Sequence, residues 1–143
     1  MAHVSHQLLD AITTAVTGLP TTGDRVRQSR LYAHGRGPAL NIRLGERRNT
    51  ATLGNALVNA EQDIFIDIAV AGTAESIDDQ LLQIESEIHQ ALMADYSLGL
   101  PFVLDLNPQG LSEPDLEQAE KPKAVATSAW RYVIRHRLTD LES

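Results

Sequence analysis

Between Gln62 and Met93 the residue order leaves the chain little freedom. Ile64, Ile66, Ile68 and Val70 alternate with Asp63, Phe65, Asp67 and Ala69 over Gln62–Ala71. A period of two in β-branched residues is the mark of a strand with one face on a core. Gly72 and Thr73 interrupt it, and Ser76 is placed to cap a helix. Ile77, Leu81, Ile84, Ile88 and Leu92 then recur at spacings of four and three, which gathers them on one helical face. Asp78 and Asp79 fall in the expected first turn, where the positive end of the helix dipole favours carboxylates. A helix laid on a sheet follows from this stretch alone.

The remaining elements add to that unit. Ser5–Leu19 carries an apolar stripe of Leu8, Leu9, Ile12, Ala15, Val16 and Leu19, with Ser5 as cap and Gly18 and Pro20 as the stop. Arg25–Tyr32 reads as a short charged strand at a sheet edge, and the HGRGP run of His34–Pro38 as a turn. Ala39–Leu44 alternates Leu40, Ile42 and Leu44 against Asn41 and Arg43, a further strand. Gly45–Ala60 has no clean period and suits either a long hairpin or an arm that orders only against a partner.

Tyr96–Pro101 reads as a turn, and Phe102–Leu106 as a short strand with Phe102, Leu104 and Leu106 on one side. Asn107–Lys123 holds Pro108, Pro114, Pro122 and Gly110, so an irregular acidic loop is expected there. Ala124–Leu138 closes the chain as a strand. Trp130, Tyr132, Ile134 and Leu138 share one parity, and Arg131, Arg135 and Arg137 the other. Mostly short connections between strands, with two helices on one face, describe one α+β domain over residues 1–143. Its sheet is expected to be largely antiparallel, twisted and built from about four to five strands.

Composition narrows the function. The 143 residues include no cysteine, which removes disulfides, thiolate metal sites and a cysteine nucleophile together. No apolar run approaches the roughly 20 residues that cross a bilayer, so a soluble, unsecreted protein is expected. The net charge of −7 disfavours a nucleic-acid binder, because duplex affinity comes largely from cations on phosphates. The charge is segregated: Arg25, Arg27, Arg30, Arg36, Arg43, Arg47 and Arg48 are seven of the twelve basic residues, whereas Asp105, Glu113, Asp115, Glu117 and Glu120 gather late. Such segregation suits either an ordinary solvated surface or head-to-tail contact between copies.

Catalytic chemistry finds no foothold. His3 and His6 lack a third ligand at a supporting spacing, and His89 and His136 have no evident acid–base partner. Asp78, Asp79, Glu85 and Glu87 fit a solvated helix face. Gly35–Pro38 is too short for a phosphate loop, and no serine sits in a Gly-x-Ser-x-Gly elbow. No enzyme activity, metal or cofactor is expected.

Taken in order, the helix HQLLDAITTAVTGL, the segment RVRQSRLYAHGRGPALNIRL, the strand AEQDIFIDIAV, the helix AESIDDQLLQIESEIHQALMAD and the closing strand TSAWRYVIRHRL resemble the tail terminator (tail-completion, minor tail) proteins of long-tailed bacteriophages. The likeness spans nearly the whole chain through order, length and local pattern. It implies a structural virion protein, assembled in the host cytoplasm, that forms a hexameric ring on the last ring of the tail tube. Such a ring ends tube polymerisation and offers a docking surface to the head connector. The implied partners are further copies of itself, the major tail tube protein and connector or neck proteins. DNA would pass through the lumen without specific binding, and no membrane is involved. On this reading the arginine-rich and acidic segments named above form a subunit or tube interface, with the 45–60 arm as a further contact. Other neck or head-completion proteins, or a small ligand-binding α+β domain, are the alternatives, the last requiring a deep polar pocket.

Overall fold

The computed structural model describes residues 3–28, 38–54, 56–117 and 123–142. Helix α1 (Val4–Val16) is followed by β1 (Val26–Gln28), β2 (Ala39–Leu53), β3 (Leu57–Ala71), α2 (Ala74–Ala94), β4 (Val103–Leu111), β5 (Asp115–Glu117) and β6 (Lys123–Arg137). The strands form one six-stranded sheet in the order β1-β2-β3-β6-β4, with β5 on β6 beside β4. Only β1 against β2 is parallel, so the α+β class and the largely antiparallel sheet hold.

The core forms where the sequence periodicity puts it. Ile64, Ile66, Ile68 and Val70 of β3 are buried with Ile77, Leu81, Ile84, Ile88 and Leu92 of α2 and with Leu8, Leu9, Ile12 and Val16 of α1. Trp130, Tyr132 and Ile134 of β6 join the same cluster, so both helices lie on one face of the sheet. Leu138 lies beyond β6 and is exposed rather than buried with them.

Several boundaries move, each for a local reason. His3 rather than Ser5 caps α1, its Nδ1 accepting from the Ser5 N–H at 3.0 Å. Thr73 rather than Ser76 caps α2, its Oγ1 accepting from the Ser76 N–H at 3.2 Å. Starting the helix that early leaves Glu75 in the first turn and moves Asp78 and Asp79 out of it. Gly45–Ala60 is a long hairpin, because β2 and β3 stay paired out to Leu53 opposite Leu57, and Ala56 takes φ 57° at the turn.

The segment after Asn107 is more regular than its prolines suggest. β4 continues to Leu111 and β5 pairs with the start of β6. Pro108 is tolerated because β4 is an edge strand with a register break between Pro108 and Gly110. A second break, between Val103 and Asp105, inverts the alternation: Val103 and Leu106 are buried and Leu104 faces outward. The charged strand at Arg25 is an edge strand as expected, with Val26–Gln28 paired to Leu40–Ile42. The rest of that strand, the turn expected over His34–Gly37, and Arg30, Arg36 and Glu120 lie outside the described residues.

Candidate functional site

No helix of the described chain covers the second face of the sheet, and the polar parity of β3 carries a charge lattice there. Asp67 is 7 % exposed and lies between β2 and β6, opposite both Asn41 and Thr127. It accepts from Arg43 Nε at 2.9 Å, Arg43 Nη2 at 3.2 Å, Thr127 Oγ1 at 2.7 Å and Asn41 Nδ2 at 3.2 Å. Burial pushes its carboxyl pKa up, and these donors outweigh that push and hold it below the usual carboxylate range. Arg43 also lies over the Phe65 ring, 4.7 Å from its centroid.

Two pleat repeats earlier on β3, Asp63 takes Arg48 from β2 at 2.9 and 3.0 Å and Arg131 from β6 at 3.0 Å. The Arg48 hydrogen bonds lead in lowering its pKa, and the guanidinium is held more firmly protonated in return. Glu61 adds a contact to Arg131 at 3.3 Å, and Arg135 Nε donates to Asn59 at 2.9 Å. Gly45 belongs to this lattice by its lack of a side chain: a Cβ there would stand 2.5 Å from the Phe65 ring and 2.9 Å from the Asp63 Cβ. Carboxylates held ionised by cations are weak bases, so the lattice suits recognition of a surface better than proton transfer.

At the rim between sheet and helix, β2 bulges between Leu44 and Arg47. The Gln62 side chain fills the bulge, donating to the Gly45 carbonyl at 3.2 Å and to the Asp63 carbonyl at 2.9 Å. Its Oε1 accepts from buried Ser5 Oγ at 2.9 Å, and Ser5 in turn accepts from Arg47 Nη1 at 3.1 Å. Arg47 Nη1 also stands 3.2 Å from His3 Nε2. Since His3 Nδ1 already accepts from the backbone, a neutral ring carries its proton on Nε2, facing that guanidinium. Burial first, then Arg47, lowers the His3 pKa.

The expected interface residues are therefore in different situations. Arg43, Arg47 and Arg48 are bound within the chain. Arg25 secures the entry to β1, donating to the Pro38 carbonyl at 2.6 Å and the Thr21 carbonyl at 3.0 Å, and Arg27 is exposed on β1. Asp105, Glu113 and Asp115 are exposed on or beside β4 and β5, at the opposite edge of the sheet. Glu117 ends β5, where its backbone pairs with Lys123. Among the described residues, Arg25, Arg27, Arg43, Arg47 and Arg48 form no ion pair with Asp105, Glu113 or Asp115.

Glu87, expected on a solvated helix face, is buried. It takes the Thr21 N–H at 2.9 Å, Thr21 Oγ1 at 2.6 Å and Gln83 Nε2 at 2.9 Å, which pins the turn after α1 to α2. Burial raises its pKa and the hydrogen bonds more than offset the rise. Nothing in helical periodicity marks it, because its partner lies 66 residues away.

Among the described residues, two open grooves flank the sheet. One, of about 560 Å³, runs between α2 and β4 with Glu85, His89, Pro108 and Trp130 on its walls. His89 is exposed, its ring 5.5 Å from Trp130, whose indole N–H donates to Ser128 Oγ at 2.8 Å. Among the described residues that serine has no histidine or carboxylate partner, so no activated nucleophile is formed. The other groove, of about 460 Å³, lies where β4 begins and β6 ends, lined by Leu57, Pro101, Phe102, Leu104, Arg135 and Arg137. His136 also lines it; the residue is 5 % exposed, and its Nε2 has no hydrogen-bond partner among the described residues. His6 pairs with Asp10 at 3.3 Å on the surface of α1, apart from the capping role of His3. Among the described residues no three histidine or acidic side chains cluster as metal ligands, and no helix is long and apolar enough to cross a membrane. No protein-family model matches this sequence, and no curated protein matches it.

Proposed function

We propose that this chain is a tail terminator of a long-tailed bacteriophage, a structural protein whose copies form a ring on the end of the tail tube. There the ring occupies the site of the next tube subunit, stops polymerisation and offers its other surface to the head connector. The observation that carries this reading is the β2–β3–β6 sheet. Each of these strands runs 15 residues, about 50 Å, roughly three times the usual strand length. The helices cover only one face of it, and Asn49, Thr50, Ala51 and Thr52 of β2 are exposed toward the hairpin tip.

A long sheet with an open, charge-ordered face and a projecting hairpin suits contact with other proteins, since strands alternate one parity into the core and offer the other to a partner. Arg43, Arg47 and Arg48 are taken up by acceptors within the chain, so a heterologous contact would draw on the exposed Asp105, Glu113 and Asp115 of one copy and a different patch of the next. The formal charge of −7 fits a lumen that DNA traverses without adhering.

The deciding measurement combines solution mass with tail length. The protein mixed with purified tail tubes is expected to bind tube ends as a ring of about six copies, the count implied by the resemblance, and tails assembled without it to grow past their normal length. Shortening the hairpin across residues 49–56 is expected to leave a folded chain that no longer caps tubes. Binding to head connectors alone, with tail length unchanged, would overturn the assignment in favour of a head-completion role.

A further inference from the structure

We propose that Leu116 of one copy, with its acidic neighbours, docks in the Leu57–Phe102–Leu104 groove of the next copy and so joins subunits head to tail. The occupant, a second copy of this chain, rests on the ring-forming reading above.

Leu116 is 60 % exposed, more than any other large apolar side chain described, and it stands in the middle of the three-residue strand β5. A leucine there gains little from its own fold, since among the described residues β5 is paired through Asp115–Glu117 with Lys123–Val125. Glu113 and Asp115 beside it are exposed and form no ion pair among the described residues. The element is therefore an apolar knob with the exposed carboxylates of Glu113 and Asp115 before it, and Lys123 across the ladder from Glu117.

The groove has the complementary character. Its floor is apolar, from Leu57, Pro101, Phe102 and Leu104; Arg135 and Arg137 stand at its side, and Gln7 and Glu142 also line it, so two guanidiniums face one carboxylate. Neither arginine has a carboxylate partner among the described residues, although Arg135 Nε is held by Asn59 at 2.9 Å. At about 460 Å³ it has room for a leucine and the backbone that carries it. The bulge at Leu104 creates this surface, by turning outward a residue that unbroken alternation would have buried.

A subunit cannot fill its own groove. β5 pairs at Lys123–Val125, whereas the groove is at Arg135–Arg137, and ten residues of the same strand separate the two by roughly 33 Å. Knob and groove lie at opposite ends of one strand, so each copy presents one to either side. Contacts of this kind repeat from copy to copy and close into a ring when the rotation per subunit permits.

The absence of cysteine makes the contact accessible to disulfide trapping. Copies carrying Leu116→Cys mixed with copies carrying Leu104→Cys are expected to oxidise to a cross-linked dimer, and one chain carrying both substitutions to a ladder of multiples. Leu82→Cys, on exposed α2 surface, replaces Leu116→Cys in the control and should give no cross-link above background. Equal yields in the two pairings would overturn the proposal. In parallel, Leu116→Asp and Leu104→Asp, each at a solvent-exposed position, are expected to keep the wild-type circular dichroism and to weaken self-association about tenfold or more. An equimolar mixture of the two should stop at a dimer, since one intact junction remains. Wild-type assembly by the Leu116→Asp chain would sink the docking contact and leave the ring itself standing. A wild-type chain that stays single both alone and on tail tubes would sink both.

Discussion

The two faces of β3 are held by different physics, although they alternate residue by residue along one strand. Ile64, Ile66 and Ile68 are fully buried against both helices, where removal from water does the work and neither pH nor salt reaches. Asp63 and Asp67, one residue over, are held by arginines from β2 and β6. The Arg43, Arg48 and Arg131 side chains on that face are about a third exposed, so its strength varies with ionisation and screening. The core face sets whether the chain folds, and the lattice face ties the three long strands to one another.

The largest break in this contrast should come from the core. Ile66→Ala is expected to cost about 2–5 kcal/mol, read from the shift in urea midpoint, because the close-packed cluster collapses only partly into the space left. Asp67→Ala comes next, at about 1–3 kcal/mol, since it removes an acceptor shared by Arg43, Thr127 and Asn41. Asp67→Asn keeps the shape and should recover part of that loss. An Asp67→Ala cost equal to that of Ile66→Ala would erase the distinction between the faces.

Acid should act on the lattice and the cap while sparing the core. Asp63 and Asp67 lie below their ordinary 3.8 in the folded chain, so their contribution is complete above that value and is lost as pH falls through their folded pKa values. His3 lies below its ordinary 6.5 because burial and Arg47 oppose its charging. An unfolded His3 takes up its proton first, so stability is full above 6.5 and declines as pH drops below it. Urea midpoints followed from about pH 8 to about pH 5 should fall, and His3→Asn, which keeps a capping acceptor without titrating, should flatten the fall. An unchanged slope would remove His3 as the source of the fall. The smallest effect is expected from Arg48→Ala, because Arg131 still holds Asp63, and that effect should shrink further in high salt.

The β3–α2 unit was legible because its information is local. The alternation of Gln62–Ala71 and the four-and-three spacing from Ile77 each name a face without reference to the rest of the chain. The caps were missed by three residues or fewer, since His3 and Thr73 compete with nearby serines for the same backbone donors. The strand expected over Phe102–Leu106 is the first half of β4, whereas its continuation to Leu111 and the whole of β5 were missed for a different reason. Prolines and acidic residues argue for a loop, but an edge strand tolerates both when its ladder is broken at bulges. The same bulges move Leu104 from the face its parity predicts.

What the sequence alone determined is therefore the class of the molecule and the identity of its core: an α+β layer pair in which β3, α1, α2 and β6 bury the residues that their periodicity marks. Only the tertiary structure decided what the charges do. Arg131 reaches Asp63 across 68 residues and Thr127 reaches Asp67 across 60, through a strand register that no local pattern encodes. Periodicity fixes which way a side chain points. Its partner depends on which strand arrives beside it, and that is settled by the packing of the whole sheet.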